Sequence, residues 1–186
     1  MTVRNEHPNA DPRPLTGEPL ALDLVNTVWA GDGELHDLLD TAAGHRAWLA
    51  QHELGGPVGG AARRNLVQAR DAIRAVLETP GDARAAARLD RILAHGRLRL
   101  RVDAQGAREQ VEVPAPWRAG WLAARDLLRL LAERGDRVRR CGNDECVLWF
   151  LDTSRAGTRR WCSMTGCGNR LKARRHYSRL RADLDS

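Results

Sequence analysis

Four cysteines, all within the 27 residues from Cys141 to Cys167, constrain this chain more than any other feature. They stand as Cys141-x4-Cys146 and Cys162-x4-Cys167, with fifteen residues between the pairs. A tetrahedral zinc ion takes four thiolates, and two short knuckles joined by a hairpin-length spacer bring four sulfurs to one point. Two disulfides would use the same residues. The chain opens MTVRNEHPNADPRP, however, without the apolar core of a signal segment, so nothing points to an oxidising compartment. Free structural cysteines belong in apolar segments, whereas these lie among Gly, Asn, Asp, Ser and Thr. The reading adopted is structural Zn2+ held by Cys141, Cys146, Cys162 and Cys167, without an open coordination position for catalysis.

Charge is distributed as unevenly as cysteine. Residues 137–186 carry 12 Lys+Arg against 5 Asp+Glu, whereas residues 1–136 carry 18 against 19. A basic block joined to a nearly neutral body indicates a polyanion-binding module attached to something else. The apolar runs are short and interrupted by Arg or Asp, so no membrane span is expected and a cytoplasmic, nucleoid-associated location is. With 186 residues, 42% of them hydrophobic, the chain can fill one or two modest cores.

The fold expected is α+β: a mostly helical N-terminal domain with a β-hairpin, then a small four-cysteine zinc-finger module of a short hairpin and a C-terminal helix. Residues 1–19 read as an irregular or disordered lead-in, 20–135 as the first domain and 136–186 as the finger. In Leu20–Ala30 the helix and strand periods both fit in part, and the assignment stays open. Asp23, Asn26 and Thr27 are polar within that apolar stretch, and burial would require them to cap backbone or to bind a ligand. Asp40 or Thr41 can cap a helix carrying Trp48 and Leu49. Ala62, Leu66, Ala69, Ile73, Val76 and Leu77 form one helical stripe over about 60–79, which puts Arg70 and Arg74 on the solvated side, where they could also clamp an anion.

Asp82 caps a second helix with Ala86, Leu89, Ile92 and Leu93 inward. Leu98, Leu100 and Val102 alternate with Arg97, Arg99 and Arg101, and Val111 and Val113 alternate after a turn, as in a hairpin with one apolar face. Pro114 and Pro116 open a further helix with Trp117, Trp121, Ala124, Leu128 and Leu131 inward. Within the module, 147–152 and 158–162 read as two strands joined by the turn at 153–157. After Cys167, Ala173, Tyr177, Leu180 and Leu184 form an apolar stripe that docks the last helix, leaving Lys172, Arg175 and Arg179 outward and Arg170 and Arg174 on its flanks. With Arg159 and Arg160 these are the expected nucleic-acid contacts.

Cys-x4-Cys, Trp-Phe-x-Asp-x-Ser, Arg-Arg-Trp-Cys-Ser and the word Cys167-Gly168-Asn169-Arg170 resemble the CGNR zinc-finger family over about residues 139–177. Leu-Asp-Leu-Val-Asn-Thr at 22–27 and the helix with Trp48-Leu49 look like the ABATE domain that accompanies this finger in bacterial stress-induced transcription regulators. The resemblance implies an α/β N-terminal domain and a DNA-binding finger whose cysteines are the four above. It draws attention to Asp23, Asn26 and Thr27 without assigning them chemistry. Gly168 is expected to take an unusual backbone angle beside the metal, and Asn169 to cap the next helix.

The function expected is a DNA-binding transcription regulator, not an enzyme, whose first domain senses a small molecule or forms a homodimer. The alternatives are a zinc-dependent protein-interaction adaptor and an RNA-binding protein. His36, His45 and His52 have no metal-ligand spacing and read as surface residues.

Overall fold

A computed structural model describes residues 11–170 and 172. Five helices and three separate antiparallel hairpins make up the described part, an α+β architecture. The first helix, α1 (Leu20–Val25), is only six residues long, and Ala21 to Val25 are all buried. Burial on every side removes any period from its sequence, which is why helix and strand fitted equally. Its first turn is capped from a distance: Asp126 Oδ2 accepts the Ala21 N–H at 3.0 Å.

The hairpin β1 (Val28–Gly31) and β2 (Glu34–Asp37) turns at Asp32 and Gly33, both at positive φ, and Trp29 stacks on its cross-strand partner His36. Thr41, not Asp40, caps α2 (Ala42–Gln51), its Oγ1 accepting the Gly44 N–H at 3.0 Å. The helices α3 (Gly60–Glu78) and α4 (Ala83–Leu93) follow the expected pattern, with Asp82 capping α4 through Ala85 N–H at 2.7 Å. The inward alanine of α4 is Ala85; Ala86 is exposed.

A single turn at Ala115–Trp117 leads into α5 (Arg118–Arg134), which crosses α3 so closely that a Cβ on Gly120 would stand 2.8 Å from the Ala69 Cβ. Its buried stripe is Gly120, Trp121, Ala123, Ala124, Leu127 and Leu130. Leu128, expected inward, is 47% exposed. The core thus lies between α1, α3, α4 and α5, with Trp48 and Leu49 of α2 closing it.

The third hairpin overturns the expected pairing in the cysteine module. Trp149–Leu151 (β6) pairs with Val138–Arg140 (β5), and residues 158–162 form no strand. The ribbon β3 (Arg97–Asp103) and β4 (Gly106–Glu112) forms as expected, but its apolar face is not packed on the core: Leu100 and Val102 are 78% and 83% exposed. No described helix is long and apolar enough to cross a membrane.

The lead-in is ordered at its described end. Residues 11–19 have no helix or strand, yet the Arg13 side chain is fully buried and pairs with Asp23 at 2.7 Å. It also bonds Asp11 and Gln51, so the segment straps α1 to α2. Asp23 further accepts the Trp48 indole N–H at 3.0 Å and the Gly17 N–H at 3.1 Å, and it meets His52 Nε2 at 2.9 Å. Burial pushes the Asp23 carboxyl up, but hydrogen bonds from His52 and Arg13 outweigh it, and the net shift is downward. His45, buried rather than on the surface, accepts the Gly59 N–H at Nδ1, and burial with Arg63 nearby lowers its pKa.

Both groups are depressed on folding, so each contributes stability at high pH that is lost as pH falls. The His45 contribution should decline below its unfolded value of about 6.5, and that of Asp23 below about 3.9. Denaturant melts from pH 8 to 3 are expected to show both declines. His45→Gln should remove the first and leave the second.

Candidate metal centre and its basic surface

The first knuckle is the loop of the β5–β6 hairpin. The ladder runs on past Arg140, with Cys141 N–H donating to the Leu148 carbonyl at 2.9 Å, and Cys146 N–H closes a turn on the Asn143 carbonyl at 2.8 Å. The second knuckle is a π-helical turn, Met164–Gly168, capped by Ser163 Oγ, which accepts the Gly166 N–H at 3.2 Å. The two loops dock through Gly142 N–H on the Arg160 carbonyl at 2.8 Å. A Cβ on Gly142 would come within 3.0 Å of that oxygen and 3.1 Å of the Trp161 ring, so the contact selects glycine.

This brings Cys141, Cys146, Cys162 and Cys167 together, all buried, with their sulfurs within 4.8 Å of one another and no disulfide among them. Cys146 and Cys162 sulfurs lie 3.8 Å apart, and Cys162 and Cys167 3.6 Å. A tetrahedron with Zn–S bonds of about 2.3 Å has edges of about 3.8 Å, so the cage fits zinc. Hydrogen bonds from Cys146 and Cys162 draw the Cys141 thiol down to about 2, whereas the contact with Cys141 pushes Cys146 up to about 12 and contacts with Cys141 and Cys146 raise Cys162. The four sulfurs would hold a zinc ion as thiolates, which couples metal binding to their deprotonation.

Donors already aim at the sulfurs: the Cys162 N–H at Cys141 (3.5 Å) and the Asn143 amide at Cys167 (3.6 Å). Such outer contacts orient the ligands and stabilise their charge. A cleft of about 230 Å3 borders the cage, lined in part by Cys146, Cys162, Ser163 and Arg170.

The surrounding motif residues divide by role. Asp152 organises the loop after β6: it accepts from Ser154 N–H and Oγ through Oδ1 and from Arg159 N–H through Oδ2. Arg159 is drawn inward. Its guanidinium lies over the Phe150 ring at 4.3 Å and donates to the Trp161 and Cys162 carbonyls, so it braces the cage instead of facing solvent. Arg160, Arg170 and Lys172 are exposed, Arg160 lying over Trp161. Arg139 and Arg140 are also exposed, on β5, a strand that the sequence reading did not anticipate.

Arg174, Arg175, Arg179 and the stripe Ala173, Tyr177, Leu180 and Leu184 lie outside the described residues. Gly168 is not at positive φ; a Cβ there would stand 2.9 Å from Met164 Sδ and 3.3 Å from Trp161, so the exposed Met164 side chain would have to shift. Asn169 is itself helical at φ −71° and ψ −39°, and Ser163 provides the cap instead.

The polar residues of α1 and its C-terminal end all have protein partners. Thr27 Oγ1 donates to the Leu24 carbonyl at 2.7 Å and accepts from Arg70 at 3.1 Å. Arg70 is buried, not solvated, because Asp37 meets it at 2.7 Å, and Arg74 covers the Val25 carbonyl. Asn26 is the C-cap residue of α1, its backbone N–H donating to the Leu22 carbonyl at 2.9 Å. Its side-chain amide spans the two parts of the chain, donating to the Trp149 carbonyl at 2.8 Å and accepting the Trp149 N–H at 2.9 Å. Glu18 likewise accepts the Leu151 N–H at 2.8 Å, and Trp149 and Leu151 belong to the main core.

Residues 137–180 match the CGNR zinc finger family, and residues 18–134 match the ABATE family, described as "Putative stress-induced transcription regulator". A search of curated proteins found no match. With more than half its length under that second match, and a four-cysteine cage that fits zinc in the first, the chain belongs to the ABATE family and carries a C-terminal CGNR zinc finger.

Proposed function

We propose that this regulator binds DNA through the finger, using the helix that begins beyond Cys167. The observation that carries the reading is positional: the cage lies at the start of a helix whose Arg170 and Lys172 are exposed, as Arg160 is, within the segment 137–186 that has all the excess positive charge. The sequence that follows carries Arg174, Arg175 and Arg179. Phosphate neutralisation supplies most of the affinity, and the residues that reach base edges supply selectivity. Arg159 is left out of the contact set, since its donors serve the cage.

The zinc is structural and the protein is not an enzyme in this reading. Its place of action is the nucleoid, and the N-terminal domain supplies sensing or dimerisation. The engagement of Asn26, Thr27 and Arg70 by protein partners favours dimerisation over a ligand at that motif.

Selection from a random DNA pool, with and without a zinc chelator, tests the proposal. Enrichment is expected only with zinc present. With about six phosphates contacted, affinity should fall on the order of a thousandfold between 50 and 200 mM salt. Arg160→Ala/Arg170→Ala/Lys172→Ala should weaken binding across all sequences and flatten that salt dependence. A pool without enrichment, or a triple variant binding as tightly as the parent, overturns the reading, and capture of a stoichiometric protein partner without nucleic acid would support an adaptor.

A further inference from the structure

The four-cysteine cage is closed to the general surface but not to small solutes. Each of its cysteines is at most 6% exposed. The cleft of about 230 Å3 beside it nevertheless has Cys146, Cys162 and Cys167 in its wall, whereas Cys141 takes no part. Ala30 of β1 brings the first domain into the same wall. A water molecule's share of liquid volume is about 30 Å3, so the cleft admits a molecule of a few non-hydrogen atoms as far as the sulfurs.

The sulfurs differ in what they accept. Cys141 takes the Cys162 N–H at 3.5 Å, Cys167 takes the Asn143 amide at 3.6 Å, and Cys146 takes the Leu148 backbone N–H. Among the described residues no N–H serves Cys162 Sγ, whose partners are other sulfurs, Cys146 at 3.8 Å and Cys167 at 3.6 Å. An N–H aimed at a thiolate draws charge from it and stabilises it. In a set of four metal-bound thiolates, Cys162 therefore keeps the most charge and is the strongest nucleophile, and it is one of the three that meet the cleft. Thr165 and Arg170 line the same space, a hydroxyl and a guanidinium able to donate to an oxygen that departs with negative charge.

We propose that Cys162 is an oxidation site for small hydroperoxides entering this cleft, and that its oxidation opens the cage. The Cys162 sulfur attacks the hydroxyl oxygen of the hydroperoxide. An S–O bond forms and the O–O bond breaks, and the departing oxygen takes a proton and leaves as an alcohol, or as water from hydrogen peroxide. A neighbouring ligand, Cys167 at 3.6 Å or Cys146 at 3.8 Å, then displaces hydroxide from the sulfenic acid. The S–S bond forms at about 2.05 Å, the S–O bond breaks, and the hydroxide takes a proton to leave as water. Two sulfurs have lost two electrons and the hydroperoxide has gained them. The two thiolates that remain do not complete a four-coordinate site, so the ion is released. This inference rests on the cage as a zinc site. That opening it also ends DNA binding rests further on the proposed function, and the test uses no DNA, so the two readings fail separately.

Hydrogen peroxide is added to the zinc-loaded full chain, released metal is read with a chromogenic chelator, and the cysteines are mapped by alkylation and mass spectrometry. The expected result is loss of the zinc together with two thiols per chain, and a disulfide that includes Cys162. A sulfenic-acid reagent present from the start should label Cys162. Dithiothreitol with zinc should restore the cage. Ala30→Leu narrows the cleft without touching a ligand, so it should bind zinc as the parent does and release it roughly tenfold more slowly, about 1.4 kcal/mol in the barrier. Should that variant lower the melting temperature, Thr165→Val, at an exposed position, removes the hydroxyl donor and should also slow release with the fold intact. The exposed Met164 reports that the peroxide has acted. Zinc retained by a chain whose Met164 is fully oxidised overturns the inference, as does first labelling on another cysteine, a disulfide that leaves out Cys162, or folded variants of both kinds that release zinc at the parent's rate.

Discussion

Stripping the metal, or replacing Cys162 with Ser, is expected to unfold the finger and to destabilise the N-terminal domain with it. The module around the cage buries little besides Leu148, Phe150 and the cysteines themselves. Zinc binding, on the order of 10–16 kcal/mol in zinc-finger peptides, exceeds what so small a core can supply. The reach into the first domain follows from Trp149 and Leu151, which belong to the main core although they sit in β6. Losing their burial would cost about 1.5–3 kcal/mol each. In a chain of this size that corresponds to a fall in melting temperature of roughly 6–24 °C. Calorimetry before and after chelation, with tryptophan fluorescence following Trp149, checks both parts. Cobalt substitution should give the absorption of a tetrahedral four-thiolate site. A chelated protein with no metal and an unchanged melting curve would show that the cage contributes nothing to the fold.

What could be read in the sequence follows from how local each determinant is. The helices α3 and α4 and the ribbon β3–β4 announce themselves because period, capping residue and turn residues lie within one segment: Asp82 caps three residues on, and Leu98, Leu100 and Val102 alternate with arginine. The four cysteines could be read for the same reason. Contacts made across the chain could not. Arg70 looks solvated on its own helix and is buried only because Asp37, 33 residues earlier, meets it. Arg13 sits in a stretch rich in Pro and Asp, and its buried partner Asp23 lies on another element.

In the finger, both 147–152 and 158–162 are apolar enough to suggest strands, whereas the true partner of β6 is Val-Arg-Arg at 138–140, which resembles a loop. The turn that builds the cage, not strand propensity, decides that pairing. The same logic removes Arg159 from the DNA surface. As an arginine beside Arg160 it counts toward the charge block, but the carbonyls of the second knuckle need a donor and it is the one within reach. The exposed face of β3–β4 shows the limit from the other side: alternation establishes which residues share a face, but not what covers it.

Asn26→Ala should release zinc from the cage although Asn26 touches neither metal nor cysteine. The amide pairs with both polar groups of the Trp149 backbone, as a neighbouring strand would, and thereby supplies β6 with a second edge. Alanine leaves a buried N–H and a buried carbonyl without partners, at about 1–3 kcal/mol each. If the finger folded alone, that loss would loosen its docking and leave metal retention untouched. In the structure, however, β6 begins three residues after Cys146 and its ladder ends on Cys141, so the hairpin that Asn26 steadies is the one that carries the first knuckle. A loss of about 2–6 kcal/mol shared between docking and hairpin should make zinc transfer to a chelator at least tenfold faster. Asn26→Asp provides the discriminating comparison. It keeps the acceptor for the Trp149 N–H but sets a carboxylate against the Trp149 carbonyl, so it should retain zinc no better than alanine near neutral pH. Should it recover retention at pH low enough to protonate the carboxyl, the paired hydrogen bonds are what matter; wild-type release rates in Asn26→Ala would show that the finger holds its metal without the first domain.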